Sequence, residues 1–150
     1  MYASLELLGS SALAVREISL KVFTGKVKGG YGVAGRNLAH VMGLIEQRTG
    51  LGPLIRGTLN LAIPEPYIVI PDAQIEVHEY NHHEYIKLQR CRIASVRAII
   101  MRPNTHESGL AHGPAHLELL APINLREHLQ LRDGQTIQVE VEGDEVWWKA

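Results

Sequence analysis

The chain has 150 residues, 45% of them hydrophobic and 21% charged, with a formal net charge of −1. That length fits one domain with a real core, and the even charge balance offers no polyanion-binding face, which weighs against nucleic acid as a partner. The single cysteine, Cys91, excludes an internal disulfide framework and fits a reducing compartment. No stretch is long and apolar enough to span a bilayer, and no basic segment followed by an apolar run marks an export signal. These features predict a cytoplasmic protein, with no membrane partner, as a monomer or small homo-oligomer.

In chain order, residues 1–15 read as an extension ahead of one domain over 16–150, because Gly9-Ser10-Ser11 interrupts any helix there. Residues 17–26 alternate as a strand, with Ile18, Leu20 and Val22 on one face. A glycine-rich loop, Gly29 to Gly35, follows. Leu38, Val41, Met42 and Ile45 then fall at helical spacing, stopped by Gly50. Beyond Pro53 the pattern turns to strands: 58–63, 67–70, 74–80, a long stretch 86–101 with a bend or break, 116–120 and 136–142. Pro64, Pro66 and Pro71 argue against helices in this half. Asn124 and Glu127 form a capping-box-like pair that predicts a short helix, and Asp133-Gly134 predicts a turn into the last strand. Short strands with glycine and proline turns imply a small barrel or sandwich with few helices.

Three segments could carry chemistry. In Gly57-Thr58-Leu59-Asn60, the Thr and Asn lie two apart on a strand and point the same way. A hydroxyl and an amide oxygen side by side suit Mg²⁺ carried in by a nucleotide, because Mg²⁺ keeps its waters and takes few protein ligands. Taken alone, the tetrapeptide also reads as an ordinary strand start after a glycine. The glycine loop between strand and helix could approach phosphate closely, or be a plain tight turn; it lacks the Gly-Lys-Ser/Thr ending of a P-loop. The segment from Glu118 through Leu119-Leu120-Ala121-Pro122 to Leu125-Arg126-Glu127 places a carboxylate at a strand end and a helix start after it. His106, His112 and His116 could converge on a metal or be solvated loop residues, and no zinc-type spacing supports the first reading. Cys91 reads as buried and inert. Trp147-Trp148 read as packing on the domain or covering an interface.

The order of these segments resembles the archaeal-type CTP-dependent riboflavin kinase family over roughly residues 20–142. The resemblance implies a mainly β fold: a six-stranded cradle-loop (RIFT-related) β-barrel with a few short helices. It implies transfer of the CTP γ-phosphate to the riboflavin 5′-hydroxyl with Mg²⁺, giving FMN. Carried over residue by residue, it makes Thr58 and Asn60 the metal ligands. Gly30, Tyr31, Gly32, Val33, Ala34, Gly35 and Arg36 match the first nucleotide-contacting stretch, one residue longer than the family's form and without its acidic residue. Ile123, Asn124, Leu125 and Arg126 match the second. Thr105 and Glu118 match the flavin contacts, and Glu118 is the candidate catalytic base. Two rival readings accompany this one: a kinase of another small-molecule alcohol, and a non-catalytic flavin- or nucleotide-binding barrel. A barrel transcription factor is disfavoured by the near-neutral charge.

Overall fold

The computed structural model describes residues 20–29, 38–107 and 113–150. Seven strands form one sheet: β1 (Lys21–Lys28), β2 (Leu59–Ala62), β3 (Ala73–Ile75), β4 (Ile86–Ile93), β5 (Val96–Pro103), β6 (His116–Leu120) and β7 (Thr136–Val141). Every pairing is antiparallel. The order runs β4-β5-β6-β2-β1-β7, and β7 returns to β4 to close a six-stranded barrel. Closure leaves one half-edge of β4 free. Cys91–Ile93 pair with β7, whereas Ile86–Leu88 pair with the extra strand β3.

Alternation sorts the side chains into two cores. Leu59, Leu61, Ala98, Ile100, Leu117, Leu119, Val139 and Val141 fill the barrel. Gly25 of β1 also faces inward; a methyl group there would come within 3.1 Å of the Leu61 Cβ, so a side chain at that place would need Leu61 to shift by a few tenths of an ångström. A second core lies outside the barrel wall. Ile99, Met101 and Leu120 meet Ile75, Ile86 and Leu88, and the helix α1 (Met42–Thr49) covers them through Ile45, together with Leu38 and Val41 just ahead of it. Gly50, at φ 74°, ends α1 as the sequence predicts and donates its N–H to the Glu46 carbonyl.

Two predicted strands need correction, and a third breaks in two as expected. Residues 67–70 are extended but join no ladder. Pro66 and Pro71 bracket the segment, and its backbone groups find other partners: Tyr67 N–H reaches the Pro114 carbonyl, Val69 N–H donates to Glu107 Oε2 at 2.8 Å, and the Lys87 ammonium donates to the Val69 carbonyl. The predicted strand 74–80 is β3 followed by a helix, α2 (Val77–Tyr80). Glu76 and Glu79 form a reciprocal capping box that turns the chain after Ile75. The stretch 86–101 is the hairpin β4–β5, reversed at Ala94-Ser95, both at positive φ (47° and 67°) as a two-residue primed turn requires. Helices α3 (Asn104–Glu107) and α5 (Glu145–Lys149) were not predicted, and α5 buries Trp148 in the outer core. The short helix α4 (Leu125–His128) begins after Asn124 as predicted, and the Asn124 side chain accepts from Glu127 N–H.

Candidate active site

The pairing of β2 with β6 sets Asn60 directly opposite Glu118 and Ala62 opposite His116. Leu59, Leu61, Leu117 and Leu119 take the inward positions, so Asn60, His116 and Glu118 all lie on the outer face, the face on which Leu120 of the same strand joins the second core. All three are buried, at 9%, 5% and 8% exposure. Thr58, one residue ahead of β2, donates its hydroxyl hydrogen to Glu118 Oε2 at 3.3 Å. The His116 ring nitrogen Nε2 lies 3.0 Å from Asn60 Oδ1. Four polar side chains from two strands thus converge on one patch. They supply a hydroxyl, an amide and a carboxylate, all hard oxygen donors, and one imidazole.

A cleft of about 160 Å³ opens beside this patch. Its walls are Ile55 to Leu59 on one side and Leu119, Ala121 and Ile123 to Arg126 on the other. A backbone bond from Ile55 N–H to the Ala121 carbonyl ties the two walls together. The structure therefore brings Thr58 and the segment Ile123–Arg126 to a common cavity, although they are far apart in sequence. Arg126 is anchored rather than free: it donates to Asp133 Oδ1 at 2.7 Å and to the Lys28 carbonyl at 3.2 Å. Lys28 and Gly29 are the last described residues before residue 38. Residues 30–36, from Gly30 to Arg36, lie outside the described residues. Asn124 spends its side-chain oxygen on capping α4, so that oxygen already has a hydrogen-bond donor.

Thr105 stands on α3, where its hydroxyl donates to Glu84 Oε2. The nearby Tyr80 phenol is pushed up first by burial and then by the carboxylates of Glu84 and Glu118. His40 stacks on the Tyr80 ring at 5.7 Å, nearly parallel, and its Nε2 meets the Tyr80 carbonyl at 2.7 Å.

Sequence reasoning missed one member of the site and left another open. Arg56 lines the cleft and adds a cation to its wall; its place immediately before Gly57 was the available signal. His116, predicted to start the strand 116–120 and also weighed as a metal-converging or solvated loop histidine, is a buried strand residue on the face of Glu118, two positions away. His106 sits on α3 and His112 lies outside the described residues. Among the described residues no three His, Cys, Asp or Glu side chains cluster as a metal site. Cys91 is buried in the barrel, where desolvation pushes its thiol up. Among the described residues no helix is long and apolar enough to cross a membrane.

The family model described as a domain of unknown function, DUF120, and labelled for CTP-dependent riboflavin kinase, matches residues 22–141. A riboflavin kinase of Methanocella arvoryzae is 32% identical over 126 residues, which cover 81% of this chain and 55% of that protein. One of Thermococcus kodakarensis is 31% identical over 133 residues, 83% of this chain and 60% of the relative. One of Archaeoglobus fulgidus is 30% identical over 138 residues, 83% and 54%. The chain spans little more than half the length of these curated relatives. The matched segment contains every strand of the closed barrel but for Lys21, the first residue of β1, together with the whole polar patch of β2 and β6, and the chain belongs to the CTP-dependent riboflavin kinase family.

Proposed function

We propose that this chain transfers the γ-phosphoryl group of CTP to the 5′-hydroxyl of riboflavin, giving FMN and CDP, with Mg²⁺ as the metal. The observation that supports the reading is that Asn60 and Glu118 stand opposite each other on one buried face, while Thr58, which bonds Glu118, also lines the cleft walled by Ile123–Arg126. Phosphoryl transfer asks a protein for in-line placement and charge neutralisation more than for covalent chemistry. The donor set fits the proposed metal, since a hydroxyl and an amide oxygen beside a carboxylate are what a hard divalent cation accepts. Mg²⁺, when bound, neutralises charge on the phosphate oxygens.

The remaining roles belong to the chain's own groups. Thr58 and Asn60 present their oxygens to the cation. Because the Thr58 hydrogen already points at Glu118, its lone pairs face away from that carboxylate. Glu118 accepts a hydrogen bond from the acceptor hydroxyl and orients it, and it is placed to take the proton. Arg56 and Arg126 put positive charge on the cleft wall, and the Ile55, Leu119 and Ile123 side chains keep water from the nucleotide. Thr105, bonded to Glu84, is assigned to the flavin side. The glycine loop of residues 30–36 is assigned to the phosphates.

The test is direct. Purified protein is incubated with riboflavin, Mg²⁺ and each of CTP, ATP, GTP and UTP, and FMN is followed by chromatography. FMN forms fastest with CTP. A faster reaction with ATP rejects the nucleotide preference, and no FMN with any nucleotide rejects the reading. A Glu118→Gln variant keeps an acceptor atom but loses the charge, so turnover falls by about tenfold while CTP affinity holds.

A further inference from the structure

We propose that His116 is a positioning residue for this site: it fixes the plane of the Asn60 carboxamide so that Oδ1 is presented to the cation. The inference rests on the metal-dependent reading above and adds to it a residue with no contact to substrate.

Three observations carry it. The first is the contact itself, Nε2 to Oδ1 at 3.0 Å between two buried side chains. A carboxamide oxygen only accepts, so Nε2 carries the hydrogen, and one lone pair of Oδ1 remains for the metal. The second is the need. The sheet fixes where Asn60 starts, but the terminal torsion of an Asn side chain is broad. Its cross-strand neighbour Glu118 is an acceptor already engaged by the Thr58 hydroxyl. The imidazole Nε2 is in place to supply a donor to Oδ1.

The third is the rigidity behind the ring. Arg102, at 1% exposure, donates to the His116 carbonyl at 2.9 Å, to the Pro114 carbonyl at 3.3 Å and to the Tyr67 carbonyl at 2.7 Å. The His116 N–H is taken by the Gly113 carbonyl. A buried guanidinium therefore clamps the backbone from which the imidazole projects. Outer partners of this kind orient metal ligands, and their loss typically weakens metal binding or activity by about 10–100-fold.

The experiment has two arms. In the first, Mn²⁺ binding in the presence of CDP is followed by electron paramagnetic resonance, beside the Mg²⁺ dependence of FMN formation. His116→Phe keeps a ring and removes the donor. It should weaken Mn²⁺ binding and raise the Mg²⁺ half-saturation by about 10–100-fold, with the riboflavin KM unchanged. His116→Gln restores an N–H donor and should recover most of the affinity. Wild-type metal affinity in folded His116→Phe overturns the proposal.

The second arm needs no variant at His116 and no turnover. In metal-free wild-type protein, nitrogen NMR should show a slowly exchanging imidazole N–H that is lost or shifted in Asn60→Ala. No such proton, or one indifferent to Asn60→Ala, also overturns it. If wild-type protein makes no FMN while both the proton and the Mn²⁺ effect are present, the riboflavin reading falls and the positioning role stands.

Discussion

Strand β6 carries two different chemistries on its two faces. Leu117 and Leu119 point into the barrel and join a largely apolar cluster. His116 and Glu118 point the other way, are nearly as buried, and meet Asn60 and Thr58. The inward face needs only shape, because burial of apolar surface contributes roughly 25 cal/mol per Å² without regard to direction. The outward face needs partners, because a buried polar group without a hydrogen bond costs roughly 1–3 kcal/mol. Apolar residues would cover the same wall at no such risk, as Ile99, Met101 and Leu120 do beside it. The polar patch is therefore explained by chemistry rather than by stability.

That contrast can be broken from either side. Leu117→Ala removes three buried carbons from a closed barrel that has little room to collapse. It should lower stability by about 2–5 kcal/mol, read by urea unfolding, while the folded fraction keeps its FMN-forming rate. Asn60→Ala should do the reverse. Activity should fall by roughly 100-fold, as when one group stabilising transition-state charge is removed, whereas stability changes by only about 1 kcal/mol for the donor left on His116. If the two variants lose activity and stability in the same proportion, the two faces do not divide fold from function.

Much of this division was legible in the chain. Alternation in 116–120 and in Gly57-Thr58-Leu59-Asn60 predicted both strands and the shared direction of Thr58 and Asn60. Gly50, Asn124 and Asp133-Gly134 carried local signals strong enough to place a helix stop, a helix start and a turn. What failed was decided by contacts distant in sequence. The 67–70 segment has the composition of a strand, but Glu107 and Pro114 take its hydrogen bonds. The α2 capping box was present as Glu76 and Glu79, yet the β-like run before it masked it. Trp147-Trp148 announced burial but not the helix α5, whose N-cap Asp144 accepts from Trp147 N–H. The register that sets Asn60 against Glu118, and the imidazole against the amide, is a property of the closed sheet and of no local pattern.

The smallest effect lies at the rim of the outer core, where α2 is pinned to α1. Arg48 donates to both oxygens of Glu79 at 2.6 Å and also to the Gln74 carbonyl at 2.9 Å. The bidentate bond from Arg48, followed by the Glu76 N–H, holds the Glu79 carboxyl down at about 2, against an ordinary value of 4.5. A carboxyl depressed in the folded state stabilises it above its unfolded value and loses that contribution as pH falls through the folded one. The window is therefore pH 4.5 down to about 2. The pair is partly exposed, 32% and 18% at the two side chains, so solvent and salt screen it and its contribution is modest. Glu79→Gln should lower Tm slightly at pH 6, and the gap to wild type should close as the pH approaches 2. An NMR titration should place the Glu79 midpoint near 2 in the wild type and clearly higher in Arg48→Met, though still below 4.5 because the Glu76 N–H bond remains. A Tm gap that widens on acidification, or a wild-type midpoint near 4.5, would show that the two helices are joined by packing alone. The ion pair would then contribute no more to the cover over the polar patch than the exposed charges elsewhere on the surface.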